Sequence, residues 1–275
     1  MKHKKIIEKE HAVAGVIEAL LLVALASIII STIQLVYIPQ IMEEREAEHM
    51  DQVSNQLSSL KSMIELQAIT SSSASISTMI SLGSRELPYF ITAGSYGEIK
   101  VPDTGGWNIK VISNDSGIYN YDLTSITYEA YNSYFVNQIY SLEGGGVIVK
   151  QPNGEPVMRV DPSISVENGT TIDIYYNFPI TVGFPGKNLT YGYGKCFVRT
   201  NWSQGGTDHI TNVYSINIST QYPKAWNKSL YNMFGNNVDY EQGASYAKIT
   251  KKGKGINLDL DYYYIYTQIG HGWIK

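Results

Sequence analysis

A continuous apolar segment near the N-terminus, residues 13–38, limits what this chain can fold into more than any other feature. Its sequence is VAGVIEALLLVALASIIISTIQLVYI, in which Glu18 is the only charged residue. A helix of roughly 26 residues is about 39 Å long, whereas the hydrocarbon core of a bilayer is about 30 Å thick. The apolar region of a cleaved signal peptide, the competing interpretation, spans only about 7 to 15 residues. The sequence therefore predicts a membrane-spanning helix.

Lysines precede this segment and glutamates follow it: Lys2, Lys4, Lys5 and Lys9 on one side, and Glu43, Glu44, Glu46 and Glu48 on the other. Basic residues that flank a single span remain on the cytoplasmic side of the membrane. We therefore expect residues 1–12 to form a basic cytoplasmic leader and residues 13–38 to cross the cell membrane once. The rest of the chain, including the C-terminal domain, is expected to be extracellular.

The composition excludes several classes of protein. The net charge of −4 provides no electrostatic attraction for nucleic acid, so DNA or RNA binding is not expected. Cys196 is the only cysteine, which rules out an intramolecular disulfide and a zinc site built from paired cysteines. The external part must therefore be stabilised by its own hydrophobic core, for which about 230 residues are sufficient.

An amphipathic pattern follows the span. Its apolar residues recur at alternating spacings of three and four and form an a/d stripe: Met50, Val53, Leu57, Leu60 and Ile64. Residues 39–84 are predicted to form a stalk, helical to about Gln67, with a Ser-rich joint that ends in a turn at Gly83. Pro39 permits a kink in this helix rather than ending it. The stripe has two interpretations: packing of the helix on its own domain, or self-association with a second copy.

Residues 85–275 consist of short β-branched and aromatic runs separated by Gly, Pro, Asn and Asp. The candidate strands are residues 97–102, 107–113, 125–131, 138–142, 146–151, 157–160, 171–178, 195–200, 213–220, 246–251 and 256–266. Hairpin turns are predicted at residues 143–146 and 251–255, and one short helix at residues 225–236. The predicted fold class is mainly β with a long N-terminal α-helix, in which the transmembrane helix and helical stalk precede an antiparallel β-sandwich-like extracellular domain.

Six Asn-x-Ser/Thr triplets lie in the predicted external domain, whereas two or three are expected by chance. They begin at Asn114, Asn168, Asn188, Asn201, Asn217 and Asn227. Such triplets are N-glycosylation acceptors on exposed loops of exported proteins. Tyrosine is also frequent, with 22 residues against six phenylalanines. Residues 262–264 are three consecutive tyrosines, which must occupy both faces of their strand. Two interpretations are open: an exposed sheet rich in Tyr, or a strip that binds sugars or a subunit.

Catalytic and metal-binding patterns are weak. His209 follows Asp208, but no serine lies in a GxSxG motif, so a hydrolase triad has no visible nucleophile. The histidines are scattered, with no pair at helical spacing for a metal: His3, His11, His49, His209 and His271. We expect no enzymatic activity, no metal and no cofactor.

The segment AVAGVIEALLLVALASIII, residues 12–30, resembles the N-terminal helix of archaeal type IV pilin-like proteins. Residues 12–18, AVAGVIE, occupy the place of the AVSPVIG-type start of that helix, which follows a short basic leader. Residues 132–160 and the YPKAW motif at residues 222–226 resemble the extracellular part of uncharacterised archaeal pilin-like surface proteins. Together these segments cover about a fifth of the chain.

This resemblance implies cleavage of the leader by a prepilin-type peptidase and lateral packing of the helices into a filament core with β heads outside. It also implies that Glu18 meets a neighbour's free amine during assembly; the alternative is that Glu18 lies at the cytoplasmic interface beside the lysines. The large head favours a minor pilin or an adhesin. A second hypothesis is a bitopic envelope protein whose Tyr-rich β-sandwich binds polysaccharide or an envelope partner.

Overall fold

A computed structural model of the protein describes residues 2–84, 94–102 and 106–270, with side chains from residue 15 onward. The chain begins with one long helix made of α1 (Lys2–Thr32), a π-helical turn (Ile33–Tyr37) and α2 (Ile38–Ile69). In this turn the N–H of Ile38 bonds to the carbonyl of Ile33, which widens the helix directly before Pro39. The wider turn accommodates a residue without an N–H, so the helix continues through Pro39 as predicted.

The strands, in chain order, are β1 (Ile76–Ser81), β2 (Tyr96–Lys100), β3 (Trp107–Ser113), β4 (Gly117–Leu123), β5 (Ile126–Tyr131), β6 (Ile139–Glu143), β7 (Gly146–Lys150), β8 (Val157–Val160), β9 (Ser163–Asn168), β10 (Ile172–Gly183), β11 (Leu189–Gly192), β12 (Lys195–Ile210), β13 (Val213–Ser219), β14 (Val238–Gln242), β15 (Tyr246–Lys251) and β16 (Ile256–Ile269). A short helix, α3 (Pro223–Phe234), and a 3-10 turn (Gly235–Asn237) separate β13 from β14. The fold class predicted from the sequence is confirmed.

Within the described residues, the strands form three sheets. The first has the order β1-β12-β16-β10-β9, the second β11-β2-β5-β6-β7-β8, and the third β14-β15-β13-β3-β4. Neighbouring strands are antiparallel except β10 and β16, which are parallel. A register irregularity in β12 between Trp202 and Gly205 divides that long strand into two parts. Such a bulge bends a strand and increases its twist, so the two parts of β12 can pack in different cores.

The first sheet contributes to two cores, because opposite faces of its strands are buried in different parts of the sheet. One core joins this sheet to the third sheet and α3: Trp107, Ile109, Tyr176, Phe178, Ile218, Trp226, Leu230, Phe234, Ile249, Leu258 and Leu260 are among its buried residues. The other core joins it to α2 and the second sheet: Leu57, Leu60, Ile80, Ile99, Tyr128, Leu142, Val198, Tyr263 and Ile265 are among its members. Within β16, Tyr262 and Tyr264 pack on the first core and Tyr263 on the second, because successive side chains point to opposite faces.

Each candidate strand taken from the sequence corresponds to an observed one, and the helix predicted at residues 225–236 is observed as α3, with Gly235 at its C-cap at φ +55°. The structure adds five strands that the sequence pattern did not reveal: β1, β4, β9, β11 and β14. The hairpin at residues 143–146 is confirmed, since β6 pairs with β7. The hairpin at residues 251–255 is wrong, because β15 pairs with β13 and β14 while β16 pairs with β10 and β12.

The predicted joint at residues 68–84 also differs from the structure. The helix ends at Ile69, and residues 76–81 form β1, which pairs with β12 as the edge of the first sheet. The β domain therefore begins before residue 85. Isolated from its partner, ISTMIS carries too little apolar pattern to be recognised as a strand, and its pairing with β12 supplies the missing stabilisation.

Candidate functional site

The N-terminal half of the long helix is an exposed apolar surface. Every residue from Gly15 to Tyr37 is exposed, and Leu21 and Leu35 are 66% and 77% exposed. The most apolar part of this helix has a mean hydropathy of 2.5 and is long enough to cross a membrane. The hydroxyls of Ser27 and Thr32 donate to the carbonyls of Val23 and Ile28, each at 2.8 Å, so their hydrogen-bonding needs are met within the helix. This surface suits lipid or other helices rather than water.

Glu18 lies at the opposite end of this surface from the β head. It is exposed, and the helix between it and Tyr37 is about 28 Å long, close to the thickness of the hydrocarbon core. Both interpretations of its carboxylate, an assembly contact and an interfacial position, remain predictions. The side chains of the leader lysines lie outside the described residues.

The exposure of the helix changes abruptly at Ile38. Ile38 is 8% exposed and Met42 is fully buried, so the head covers one side of the helix directly after the exposed segment. The predicted stripe on α2 is buried as well: Met50, Val53, Leu57, Leu60 and Ile64 are at most 2% exposed. These side chains pack with residues of the first and second sheets, including Ile80 and Ile99.

The structure therefore corrects one prediction. The stripe of Met50, Val53, Leu57, Leu60 and Ile64 is not a surface for self-association, because the chain's own sheets already cover it. Of the two sequence interpretations, packing on the same domain is the one observed. The helix of residues 38–69 is accordingly part of the β head and not a free stalk.

Glu46 fastens the start of α2 to the loop between β5 and β6. Its carboxylate is fully buried and accepts hydrogen bonds from three consecutive backbone N–H groups, those of Ser133, Tyr134 and Phe135, at 3.0, 2.7 and 2.6 Å. Three donors compensate the loss of water around a buried carboxylate. Glu46 lies four residues before Met50, on the apolar side of the helix.

His49 lies beside Glu46 under β1. Its Nε2 is 3.1 Å from the carbonyl oxygen of Ser81, and this nitrogen therefore carries the proton that is donated to that carbonyl. Burial lowers the pKa of His49 below its ordinary value, although the bond to Ser81 and the charge of Glu46 act in the opposite direction. The neutral imidazole is therefore the form that the folded protein prefers.

Gln67 fastens the other end of α2. Its Nε2 donates to the carbonyls of Ala74 and Thr200 at 2.8 and 3.0 Å, and its Oε1 accepts a bond from the hydroxyl of Thr200 at 2.7 Å. Both side chains are fully buried. The helix is thus held to the head by polar contacts near both ends and by an apolar stripe between them, so helix and head form one unit.

Sequence reasoning missed the roles of Glu46 and Gln67. The signal was present for Glu46, because the three-and-four spacing of the stripe, extended backward from Met50, reaches residue 46. A polar residue at such a position is buried only if it finds partners, and Glu46 finds them 87 to 89 residues further along the chain. Contacts of that separation cannot be deduced from local periodicity.

The six glycosylation candidates occupy two kinds of position. Asn114 is exposed in a turn, Asn168 is exposed at the end of β9, and Asn188 is half-buried in the loop before β11. Asn201 and Asn217 lie within β12 and β13, and Asn227 within α3, and the Oδ1 atom of each of these three is buried. The first group lies in or directly next to a loop, the environment that glycan acceptors require.

His209 is paired but not placed in a catalytic cleft. Its Nδ1 is 2.6 Å from Oδ1 of Asp259 on the neighbouring strand, and its side chain is 73% exposed. The bond to Asp259 raises the pKa of His209. Within residues 15–84, 94–102 and 106–270, no cluster of His, Cys, Asp and Glu is suited to hold a metal ion. His271 lies outside the described residues.

Comparison with protein-family models, curated proteins and solved structures found no match to this chain. Function must therefore be inferred from the chain's own contacts and burial. The most informative of these is the division of one continuous helix at Ile38 into an exposed apolar half and a half that is packed into the β head.

Proposed function

We propose that this chain is a non-enzymatic surface protein of pilin-like type, held in the cell membrane by its N-terminal helix and displaying the β head outside the cell. The carrying observation is the division of the helix at Ile38. An apolar segment exposed on all sides from Gly15 to Tyr37 needs a nonaqueous environment, and lipid supplies it. The lysines before the segment and the glutamates after it favour an external head.

The same exposed segment suits the filament role that the sequence resemblance implies. Helices of many copies could pack side by side through this surface, while the heads, each fastened to its own helix by Glu46 and Gln67, would lie outside. Cleavage by a prepilin-type peptidase would free the amine that Glu18 is proposed to meet. The β head would carry glycans, first at Asn114 in an exposed turn and at Asn168 at the exposed end of β9.

Membrane anchoring is tested by fractionating cells that express the full chain and washing the membranes with alkaline carbonate. We expect the protein to stay with the membranes and the head to be digested by protease added outside intact cells. A Leu22→Lys, Leu25→Lys variant is expected to leave the membrane fraction, since each charge at the centre of a span costs about 2.5 to 3.5 kcal/mol.

The matched control for this experiment is Leu66→Lys, which places a lysine at an exposed position of α2 within the head. This variant is expected to remain in the membrane. Release of the unmodified chain into the cytosol would contradict the anchor, and protection of the head from external protease would contradict its orientation.

The pilin-like part of the proposal is tested separately by sequencing the N-terminus of the purified native protein and by electron microscopy of cells that overexpress it. A terminus near Ala12 together with filaments would support it. An intact or Met-trimmed terminus without filaments would instead indicate a stable bitopic anchor.

A second candidate function, binding of surface polysaccharide, is favoured by an open cleft of about 680 Å³ at the end of α2. Trp202, Tyr262, Asn177, Gln204 and Asp261 contribute to its lining. Aromatic rings beside amide and carboxylate groups provide apolar faces and hydrogen-bonding partners, which sugars require together. The full chain in detergent would be tested on a glycan array, with Trp202→Ala expected to abolish binding and Tyr231→Ala, an exposed aromatic on α3, expected to preserve it.

A further inference from the structure

We infer that the base of the β head contacts the headgroup layer of the same bilayer that the helix crosses, through a group of tyrosines named here the tyrosine base: Tyr96, Tyr131, Tyr191 and Tyr193. The partner is a zwitterionic lipid surface. This inference rests on the membrane-anchor part of the proposed function and is independent of filament assembly.

The tyrosine base lies at the end of the head where the helix enters. β1 runs antiparallel to α2, since Ala74 contacts Gln67 near the end of the helix and Ser81 contacts His49 near its start. Beyond Ser81 the chain continues toward the membrane, and Ser84 bonds to Ser95, which directly precedes Tyr96 in the chain.

Three further contacts place the other tyrosines at the same end. Tyr131 is the register partner of Tyr96 and precedes the loop that Glu46 binds. Tyr193 lines a cleft of about 630 Å³ together with Arg45 and Glu48, and a Cβ on Gly83 would lie 3.0 Å from its Cα. Tyr191 lies two residues before Tyr193 and belongs to β11, the strand that pairs with β2. All four residues therefore lie at the end of the head that contains the first turns of α2.

The distances along the helix agree with contact at headgroup level. Met42 and Arg45 follow Tyr37 by about 7 and 12 Å of helix, and the headgroup layer extends about 5 to 8 Å beyond the hydrocarbon. Membrane helices are tilted by about 20° on average, which lowers one side of an attached base by several ångströms. Because Ile38 is already covered by the head, the structure provides no linker that would lift the base away from the bilayer.

The tyrosine base has the chemistry of an interfacial anchor. The rings of Tyr96 and Tyr131 stack with centroids 4.7 Å apart, and Tyr193 meets Tyr96 edge-on at 5.9 Å. Tyr191 and Tyr193 are nevertheless 72% and 61% exposed. Tyrosine is enriched where one part of the ring contacts apolar chains and the hydroxyl contacts water, as at both interfaces of a bilayer.

Charges near the base favour zwitterionic over anionic lipid. Glu43, Glu44 and Glu48 are exposed on the first turns of α2, whereas Arg45 and Lys195 are the exposed cations beside them among the described residues. This mixture has no basic excess, and a surface that binds anionic headgroups needs a cluster of Lys and Arg. Contact with the bilayer therefore depends on the aromatic rings.

The test places a nitroxide label on variants of the full chain that each gain one exposed cysteine, reconstituted in phosphatidylcholine vesicles at high dilution. Lys195→Cys reports on the base, and Lys252→Cys, in the turn before β16 at the far end of the head, is the matched control. Native Cys196 is buried, which protects it from labelling. We expect collisions of the label with a water-soluble nickel chelate to be reduced several-fold at residue 195 relative to residue 252.

Two double variants separate the role of the tyrosines from simple proximity. Tyr191→Ser, Tyr193→Ser is expected to restore access of the chelate to residue 195, whereas Tyr175→Ser, Tyr214→Ser, at exposed sites elsewhere on the head, is expected to leave it unchanged. Equal access at residues 195 and 252 in a chain that resists carbonate extraction would overturn the inference while leaving the anchor intact. If the label at residue 195 is protected from the chelate only at high protein density in the lipid, the inference is also overturned, because the tyrosine base would then contact a second copy of the chain.

Discussion

The indole Nε1 of Trp226 donates a hydrogen bond to Oε1 of Glu143 at 2.7 Å, and both side chains are buried. This contact links α3 to the tight turn between β6 and β7. Gly144 is essential to that turn, because its φ is +59° and a Cβ would lie only 2.5 Å from the Trp107 ring. The hydrogen bond between Trp226 and Glu143 also joins the two segments, residues 132–160 and 222–226, on which the sequence resemblance partly depends.

Burial raises the pKa of Glu143 to about 7, although bonds from Thr220 and Trp226 act in the opposite direction. The folded state therefore binds a proton that the unfolded state releases above its ordinary pKa of about 4.5. Between these two values the free energy of unfolding falls as pH rises, by up to about 1.4 kcal/mol per pH unit from this group. We predict that Glu143→Gln removes this decrease, since Gln keeps an acceptor for Trp226 and cannot ionise.

The measurement is guanidinium denaturation of the full chain in detergent from pH 4.5 to 8, followed by tryptophan fluorescence. Glu155→Gln, which removes an exposed carboxylate paired with Lys224, is the control and is expected to follow the wild-type pH profile closely. A Glu143→Gln profile parallel to wild type would show that the carboxylate does not titrate in this range.

His49 has the opposite pH dependence. Its folded pKa is lowered, chiefly by burial, so the unfolded state binds more protons below about pH 6.5. Its stabilising contribution is present above that pH and is lost as pH falls. We predict that His49→Gln weakens the loss of stability on acidification from pH 6.5, measured by the same denaturation assay. His209→Gln is the comparison: Asp259 raises the pKa of His209, so this variant is not expected to weaken the loss of stability on acidification. An identical acid response of His49→Gln and wild type would refute the prediction.

Removal of the Glu46 carboxylate is predicted to loosen the loop between β5 and β6. Each hydrogen bond to a charged group contributes about 1.5 to 3 kcal/mol, and Glu46→Ala leaves three backbone N–H groups without their acceptor. We expect a loss of several kcal/mol in unfolding free energy and faster hydrogen exchange at the amides of residues 133–135. Glu44→Ala, two positions earlier and exposed, is expected to change neither quantity.

Leu57→Ala is predicted to destabilise the head by about 2 to 5 kcal/mol, the usual cost of truncating a fully buried leucine. Leu66→Ala, on the same helix but 49% exposed, is expected to cost much less. Both are measured by denaturation, together with the molecular mass of the detergent complex. If Leu57→Ala instead dissociated an oligomer without altering the stability of the head, the packing of α2 on its own sheets would be contradicted.

Local pattern was sufficient for much of the fold. Period-two alternation in residues 256–260 and helical spacing in residues 225–236 each show which residues share one face of a single element. Such patterns are local, so they predict β16 and α3 correctly. The turn at residues 251–255 looked like a hairpin for the same reason, but local turn chemistry does not specify a partner. The parallel pairing of β16 with β10 joins residues 84 positions apart.

The sequence by itself determined the helix that is long and apolar enough to span a membrane, because hydrophobic length is a property of consecutive residues. It also determined that α2 has a buried stripe. Only the tertiary structure decided that Met50 to Ile64 face the chain's own sheets, that Glu46 binds a distant loop and that the tyrosine base lies at the same end of the head as the start of α2. These features depend on contacts between residues far apart in the chain, which form only when packing of the whole head brings them together.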